Sequence, residues 1–330
     1  MKALARVAIH AMAASCCWTA EPVNHPDVLT LPADLENPAL TDGEPAPGKS
    51  VLKSLPSYAG TKVAHALYLP ADWKPGGRYP VIIEYLGNSA AVRDYRGIGY
   101  ALTGGKDFIW AVLPFVAVDH QQDASWWWGD VDATVAYAKE AVPAICKQWG
   151  GDPAKVILVG SSRGAIACNY IGLHDDEIAR LWRAIIPVSH YDDAHIPWDM
   201  TPEEQSRAPE RLRRLGNTPQ LIVGEHCSVP QLGSDKPLLE KIKEKNLNSF
   251  HAAKAELGLK PITEVEGTRD FIKSNFPQGN FTIVDLPWVN HGSKALLRDT
   301  PERRQIRDWI QSQISQNDTP RGKEQTPDSL

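Results

Sequence analysis

Short apolar runs bounded by turn residues recur along most of this chain, at 63–69, 79–85, 108–114, 155–160, 183–189, 219–224 and 281–286. Their length and boundaries predict strands. Helical stretches fall between or after them at 130–148, 164–173, 235–257 and 300–315. Strands that alternate with helices predict an α/β fold, a mostly parallel sheet flanked by helices on both faces. The last two strand runs stand too far apart for one crossover. The charged stretch of about 231–279 therefore reads as a helical insertion before the last strand, near the rim where ligands bind.

The ends of the chain break this pattern. Lys2 and Arg6 precede the apolar VAIHAMAASCC, with Ala13-x-Ser15 as a cleavage pattern, so residues 1–20 read as a signal segment and imply export. Residues 21–60 are rich in proline, carry no sustained period, and read as a leader wrapping the domain surface. The domain proper is expected over 61–316, followed by a polar, flexible tail at 317–330.

Composition then removes whole classes of function. Of 330 residues, 42% are hydrophobic and 23% charged, enough to build a packed core. The net charge of −5 offers no basic field for nucleic acid. No run of about 18 apolar residues spans a membrane. The five cysteines contain no CxxC pair and suit neither a zinc site nor a disulfide framework; Cys146 and Cys168 read as small core residues on helices.

Gly160-Ser161-Ser162-Arg163-Gly164 is a G-x-S-x-G placed directly after the strand KVILVG and directly before a helix. That context raises a common pentapeptide to a nucleophile elbow: a tight strand-to-helix turn, with small flanking residues, holds Ser162 above the carboxyl ends of the strands. The stretches GGDPAKVILVGSSRGA and LYLPADWKPGGRYPVIIEYLGN together resemble the α/β-hydrolase superfamily over roughly residues 60 to 315. They are most similar to its secreted feruloyl-esterase-like and polyester-depolymerase-like members. The G-x-S-R elbow is similar to that of glucuronoyl esterases, although the rest of that family's elbow motif is absent. The resemblance implies ester hydrolysis by a Ser–His–acid triad without metal or organic cofactor.

A serine hydroxyl needs an imidazole to accept its proton. His291 lies five residues beyond the last strand run, at the end of the chain order Ser…acid…His. An isolated loop histidine is more often a solvated surface residue; strand, spacing and order set this one apart. His190, His195 and His226 fall on rim loops and suit substrate binding.

The acid has two main candidates, with Asp235, where the inserted helix begins, a distant third. Where relatives read G-x-x-D, this chain reads Gly224-Glu225-His226-Cys227. A neutral thiol cannot stabilise an imidazolium, so Glu225 is favoured, with Asp192 of SHYDD as its rival. The oxyanion donors are expected at the backbone N–H of Arg163 and at Gly87 or Asn88 in the loop after IIEYLGN. The Arg163 side chain could add positive charge there, although its commoner fate is an ion pair on the helix surface.

Trp126, Trp127 and Trp128 cannot all point inward from one helix, where neighbours differ by about 100°. At least one should face solvent or the cleft. With Trp288 they are candidate substrate-binding residues, suited to carbohydrate or plant-polymer esters, while core packing accounts for each almost as well. The reading is a serine carboxylesterase acting on a small-molecule or polymer ester. A serine peptidase of the prolyl-oligopeptidase type and a catalytically inactive binding module are the alternatives.

Overall fold

The computed structural model describes residues 27–94, 97–192, 200–225, 228–229, 262–288, 291 and 293–315, with the backbone alone at 225, 228–229 and 262–265. The signal segment at 1–20, the helix expected at 235–257, His195, His226 and Cys227 lie outside these residues, as does the tail from 317.

Among the described residues there are ten strands: β1 (Ser50–Lys53), β2 (His65–Tyr68), β3 (Tyr79–Tyr85), β4 (Ile109–Val112), β5 (Gly151–Ser161), β6 (Ala184–Ser189), β7 (Gln220–Glu225), β8 (Ser228–Val229), β9 (Ile262–Thr263) and β10 (Phe281–Leu286). The helices are α1 (Gly99–Thr103), α2 (Val131–Trp149), α3 (Arg163–Tyr170), α4 (Asp176–Ala179), α5 (Pro202–Ser206), α6 (Ala208–Arg213), α7 (Glu264–Asn275) and α8 (Pro301–Ser315). One sheet of eight strands runs β1-β2-β4-β3-β5-β6-β7-β10. It is parallel from β4 to β10, and β2 pairs antiparallel with β1 and β4. β8 and β9 form a separate two-stranded ribbon.

Every strand run seen in the sequence is a strand here, because central parallel strands are buried on both faces and read as unbroken apolar stretches. The sheet makes two cores. Val81, Ile83 and Tyr85 of β3 pack with α2, α3, α4 and α6 on one face. Ile82, with Ile157, Ile186 and Val223, packs with α1 and α8 on the other.

α2 starts where the Asp130 side chain accepts from the Ala133 N–H, and ends at Gly150 in the left-handed conformation. Cys146 and Cys168 are buried free thiols, as expected. No described helix is long and apolar enough to cross a membrane.

The proline-rich segment is more integrated than its composition suggests. It contributes β1, whose Ser50 and Val51 are buried. Its earlier part is clasped by the C-terminal end of the domain. The Asp34 and Leu35 N–H groups donate to the Leu297 carbonyl. The buried Arg303 guanidinium of α8 donates to the Asp34 carboxylate at 2.8 Å.

Candidate active site

The elbow forms where β5 turns into α3. Ser162 sits at φ 56° and ψ −124°, a left-handed conformation costly for a non-glycine residue. Contacts on both sides hold it there. The Ser162 N–H donates to the Val188 carbonyl of the neighbouring β6 at 3.1 Å, and α3 leaves at once.

The flanking glycines have steric reasons. A Cβ at Gly160 would stand 2.1 Å from the Gly164 oxygen, and one at Gly164 would stand 1.9 Å from the Tyr85 oxygen at the end of β3. Only backbone without side chains lets three segments approach this closely.

The remaining candidates leave from adjacent strand ends. Ser161 pairs in register with Val188, Ser189 with Gly224, and Glu225 with Leu286. His190 is the first residue past β6, and its ring stacks on that of His291 at 4.9 Å and 30°. The imidazole of His291, five residues past β10, thereby reaches back across β7 to the end of β6, the strand beside β5 that leads into Ser162.

Glu225 ends β7 between them; its side chain lies outside the described residues. Asp192 is fully buried and both its oxygens accept from Arg211, at 2.7 and 2.8 Å. Burial pushes its pKa up against the opposing pull of that guanidinium. The carboxylate is thus occupied by a buried ion pair with α6.

Ser162 is bordered by the start of α3 and by the loop after β3. Arg163 opens α3, and first-turn N–H groups have no acceptor within their own helix. A Cβ at Gly87 would lie 3.2 Å from Ser162 Cβ and 3.7 Å from its Oγ, so the loop after β3 runs against the Ser162 side chain. Asn88 fixes that loop from the other side, its Oδ1 accepting from the Trp127 N–H at 2.8 Å.

The Arg163 side chain departs from the sequence expectation. Instead of a surface ion pair, its guanidinium is buried and donates to five carbonyls: Leu86 (3.4 Å), Gly87 (3.1 Å), Ala90 (3.3 Å), Ala124 (3.2 Å) and Trp127 (2.7 Å). It also lies over the Phe115 ring, 4.0 Å from the centroid. Burial pulls its pKa down, while five accepting carbonyls favour the cation. The first helix position after Ser162 looks solvent-facing in sequence; here the loops after β3 and β4 cover it.

The tryptophans separate. Trp126 is 62% exposed, Trp127 is half-buried, and Trp128 and Trp288 are buried at 6% and 2%. Trp128 packs on Phe115 and Tyr170, and Trp288 joins the α1–α8 core. Of the four expected substrate contacts, only Trp126 and Trp127 keep surface open to solvent, and Trp128 and Trp288 are core residues.

Glu84 of β3 escaped the sequence reading altogether. Its buried carboxylate accepts from the Ile98 and Gly99 N–H groups at the start of α1 and from Trp110 Nε1, at 2.7 to 2.9 Å. Burial raises its pKa to about 7. An acid inside an apolar strand run is the signal that could have marked it. Among the described residues, no group of three His, Cys, Asp or Glu is placed to hold a metal ion.

No family model matches this chain, and no curated protein matches it. Solved structures do. The AtxE2 isopeptidase superposes with a TM-score of 0.50 and 14% identity, over 82% of this chain and 41% of that one. A feruloyl esterase module from Clostridium thermocellum gives 0.47 and 12%, over 84% and 95%. A thermostable esterase gives 0.45 and 13%, over 80% and 62%. This chain therefore spans less than two thirds of the isopeptidase and of the thermostable esterase. At such identities the likeness speaks for the fold alone: the chain has the α/β-hydrolase fold.

Proposed function

We propose that this chain is a serine hydrolase cleaving carboxylic esters through an acyl-enzyme. The observation that carries the reading is the strained Ser162 elbow with the His291 ring brought to the end of the next strand by its stack on His190. In this scheme Ser162 Oγ attacks the ester carbonyl carbon while His291 takes its proton. The oxyanion meets the N–H of Arg163 and that of Gly87 or Asn88, each worth about 3 kcal/mol of barrier. The C–O bond to the alcohol then breaks, and His291 returns the proton to the departing oxygen. Water repeats the cycle on the acyl-serine, releasing the acid and restoring the Ser162 hydroxyl.

Glu225 is the acid of this scheme, because it ends the strand between the two histidine-bearing strand ends while Asp192 is engaged by Arg211. The exposed Trp126 beside the loop that Asn88 holds favours a flat substrate group, a sugar ring or an aromatic acid. Ser162→Ala should lower kcat on p-nitrophenyl acetate by about 10⁴-fold or more, with the fold intact by circular dichroism. Ser161→Ala, at a buried strand position, should cost far less. Equal losses at both serines refute the assignment, and a peptide anilide cleaved in preference to the ester replaces esterase by peptidase.

A further inference from the structure

We infer that the buried side chain of Arg163 sets the direction of the oxyanion donors, acting as a positioning residue for the site proposed above, on which this inference rests. A trans peptide is planar, so its C=O and N–H point in opposite directions. The Leu86 carbonyl shares its plane with the Gly87 N–H, and the Gly87 carbonyl shares its plane with the Asn88 N–H. Both carbonyls accept from the guanidinium, from Nε at 3.4 Å and Nη2 at 3.1 Å. Both N–H groups are therefore turned away from Arg163, and among the described residues no backbone carbonyl accepts from either.

The same side chain reaches a second loop. Nη1 donates to the Ala124 and Trp127 carbonyls, on either side of the exposed Trp126. Asn88 and Ser89 bind that loop as well, through the Trp127 N–H and the Ser125 carbonyl. One cation thus ties the nucleophile's own helix to the oxyanion loop and to the tryptophan loop.

Among the described residues no carboxylate stands within ion-pair distance of it. Its entire hydrogen-bonding capacity is spent on backbone that other forces leave unpaired. A buried charge is retained in such a place at a desolvation cost, which fits a demand for fixed loop geometry rather than for stability alone. A neutral side chain would leave five carbonyls facing one another in an apolar pocket, and the two peptide planes free to rotate.

The test compares Arg163→Met, which keeps an unbranched, though shorter, stem and removes every donor, with Arg163→Lys, which keeps charge and some donors. Turnover of p-nitrophenyl acetate, inhibition by a trifluoromethyl ketone that mimics the tetrahedral intermediate, and stoichiometric labelling of Ser162 by a fluorophosphonate are measured on each. Arg163→Met should lose about 10²-fold in kcat, as for a displaced oxyanion donor. KM should stay within about threefold, and the ketone should weaken by the same factor as kcat/KM. Arg163→Lys should fall between Met and wild type, and both variants should still label fully.

Wild-type kcat in Arg163→Met overturns the inference, as does a loss expressed in KM alone. Failure of both variants to fold also overturns it, since Arg163 would then serve the fold as a whole. If the wild-type protein itself neither labels nor turns over ester, the proposed function fails instead.

Discussion

A single methyl group at position 164 tests how tightly the site is built. In Gly164→Ala the new Cβ would stand 1.9 Å from the Tyr85 oxygen, 2.6 Å from its carbonyl carbon and 3.2 Å from the Leu86 oxygen. An ordinary C···O contact needs about 3.3 Å, so α3 and the end of β3 must part by roughly 1.4 Å. Neither side yields easily. Tyr85 is held in register with Gly160 of β5, and α3 is pinned by the elbow and by the Arg163 guanidinium. Overpacking costs typically 1–3 kcal/mol, and backbone against backbone belongs at the upper end, about 3 kcal/mol. On the proposed mechanism, moving the loop after β3 from Ser162 by over an ångström should cost about 10²-fold or more in kcat.

Gly87→Ala supplies the contrast. There the Cβ meets Ser162 Cβ at 3.2 Å and the Ser161 oxygen at 3.4 Å, a crowding that shifts of a few tenths of an ångström relieve. This variant should unfold within about 1 kcal/mol of wild type, yet lose activity because its methyl occupies space beside the nucleophile. Urea unfolding followed by circular dichroism gives the stabilities, and p-nitrophenyl acetate turnover normalised to fluorophosphonate-labelled sites gives kcat. A Gly164→Ala protein with the wild-type urea midpoint and wild-type kcat would refute the packing argument.

The other expectations are independent of that contact. Asp192→Asn should cost about 3–5 kcal/mol in urea unfolding by stranding the buried Arg211, whereas Glu225→Gln should leave stability near wild type and lower kcat by about 10⁴ at neutral pH; the reverse ranking in kcat would make Asp192 the acid. Glu84 has its pKa raised from 4.5 to about 7 in the folded state, so its contribution is full below pH 4.5 and is lost as pH rises through 7. That loss is about 3 kcal/mol, and Glu84→Gln should flatten this part of a stability–pH profile measured by urea unfolding. Trp126→Ala should raise KM for esters of aromatic acids or sugars by several-fold while leaving p-nitrophenyl acetate nearly unchanged, and equal KM values for both substrate types would remove Trp126 from the substrate wall.

The central strands were legible because a parallel strand buried on both faces has few polar positions to confuse its pattern. β1 was not. Its four residues include Ser50 and Lys53 among prolines, and its partner β2 is what makes it a strand. Ser162 was readable because strand, turn and helix lie consecutively in sequence. The pairing of His190 with His291 and the clamp made by Arg163 were not, since each depends on segments far apart in the chain. The three adjacent tryptophans stand in the loop ahead of α2 and not on a helix, so helical periodicity does not sort them; the turn at Trp127, with φ 46°, separates the exposed Trp126 from the buried Trp128.

The clasp between Asp34 and Arg303 also has a temporal meaning. The two residues are 269 positions apart, so a growing chain cannot close this contact until nearly the whole domain has been synthesised. Segments usually consolidate from the amino end as translation proceeds. Here the residues around Asp34 must wait for α8, and the backbone acceptor for their N–H groups, Leu297, arrives equally late. Non-local closure of this kind is slow, which leaves the early segment accessible to cellular factors throughout synthesis. The residues around Asp34 are therefore seated late, although they precede every strand of the sheet in the chain.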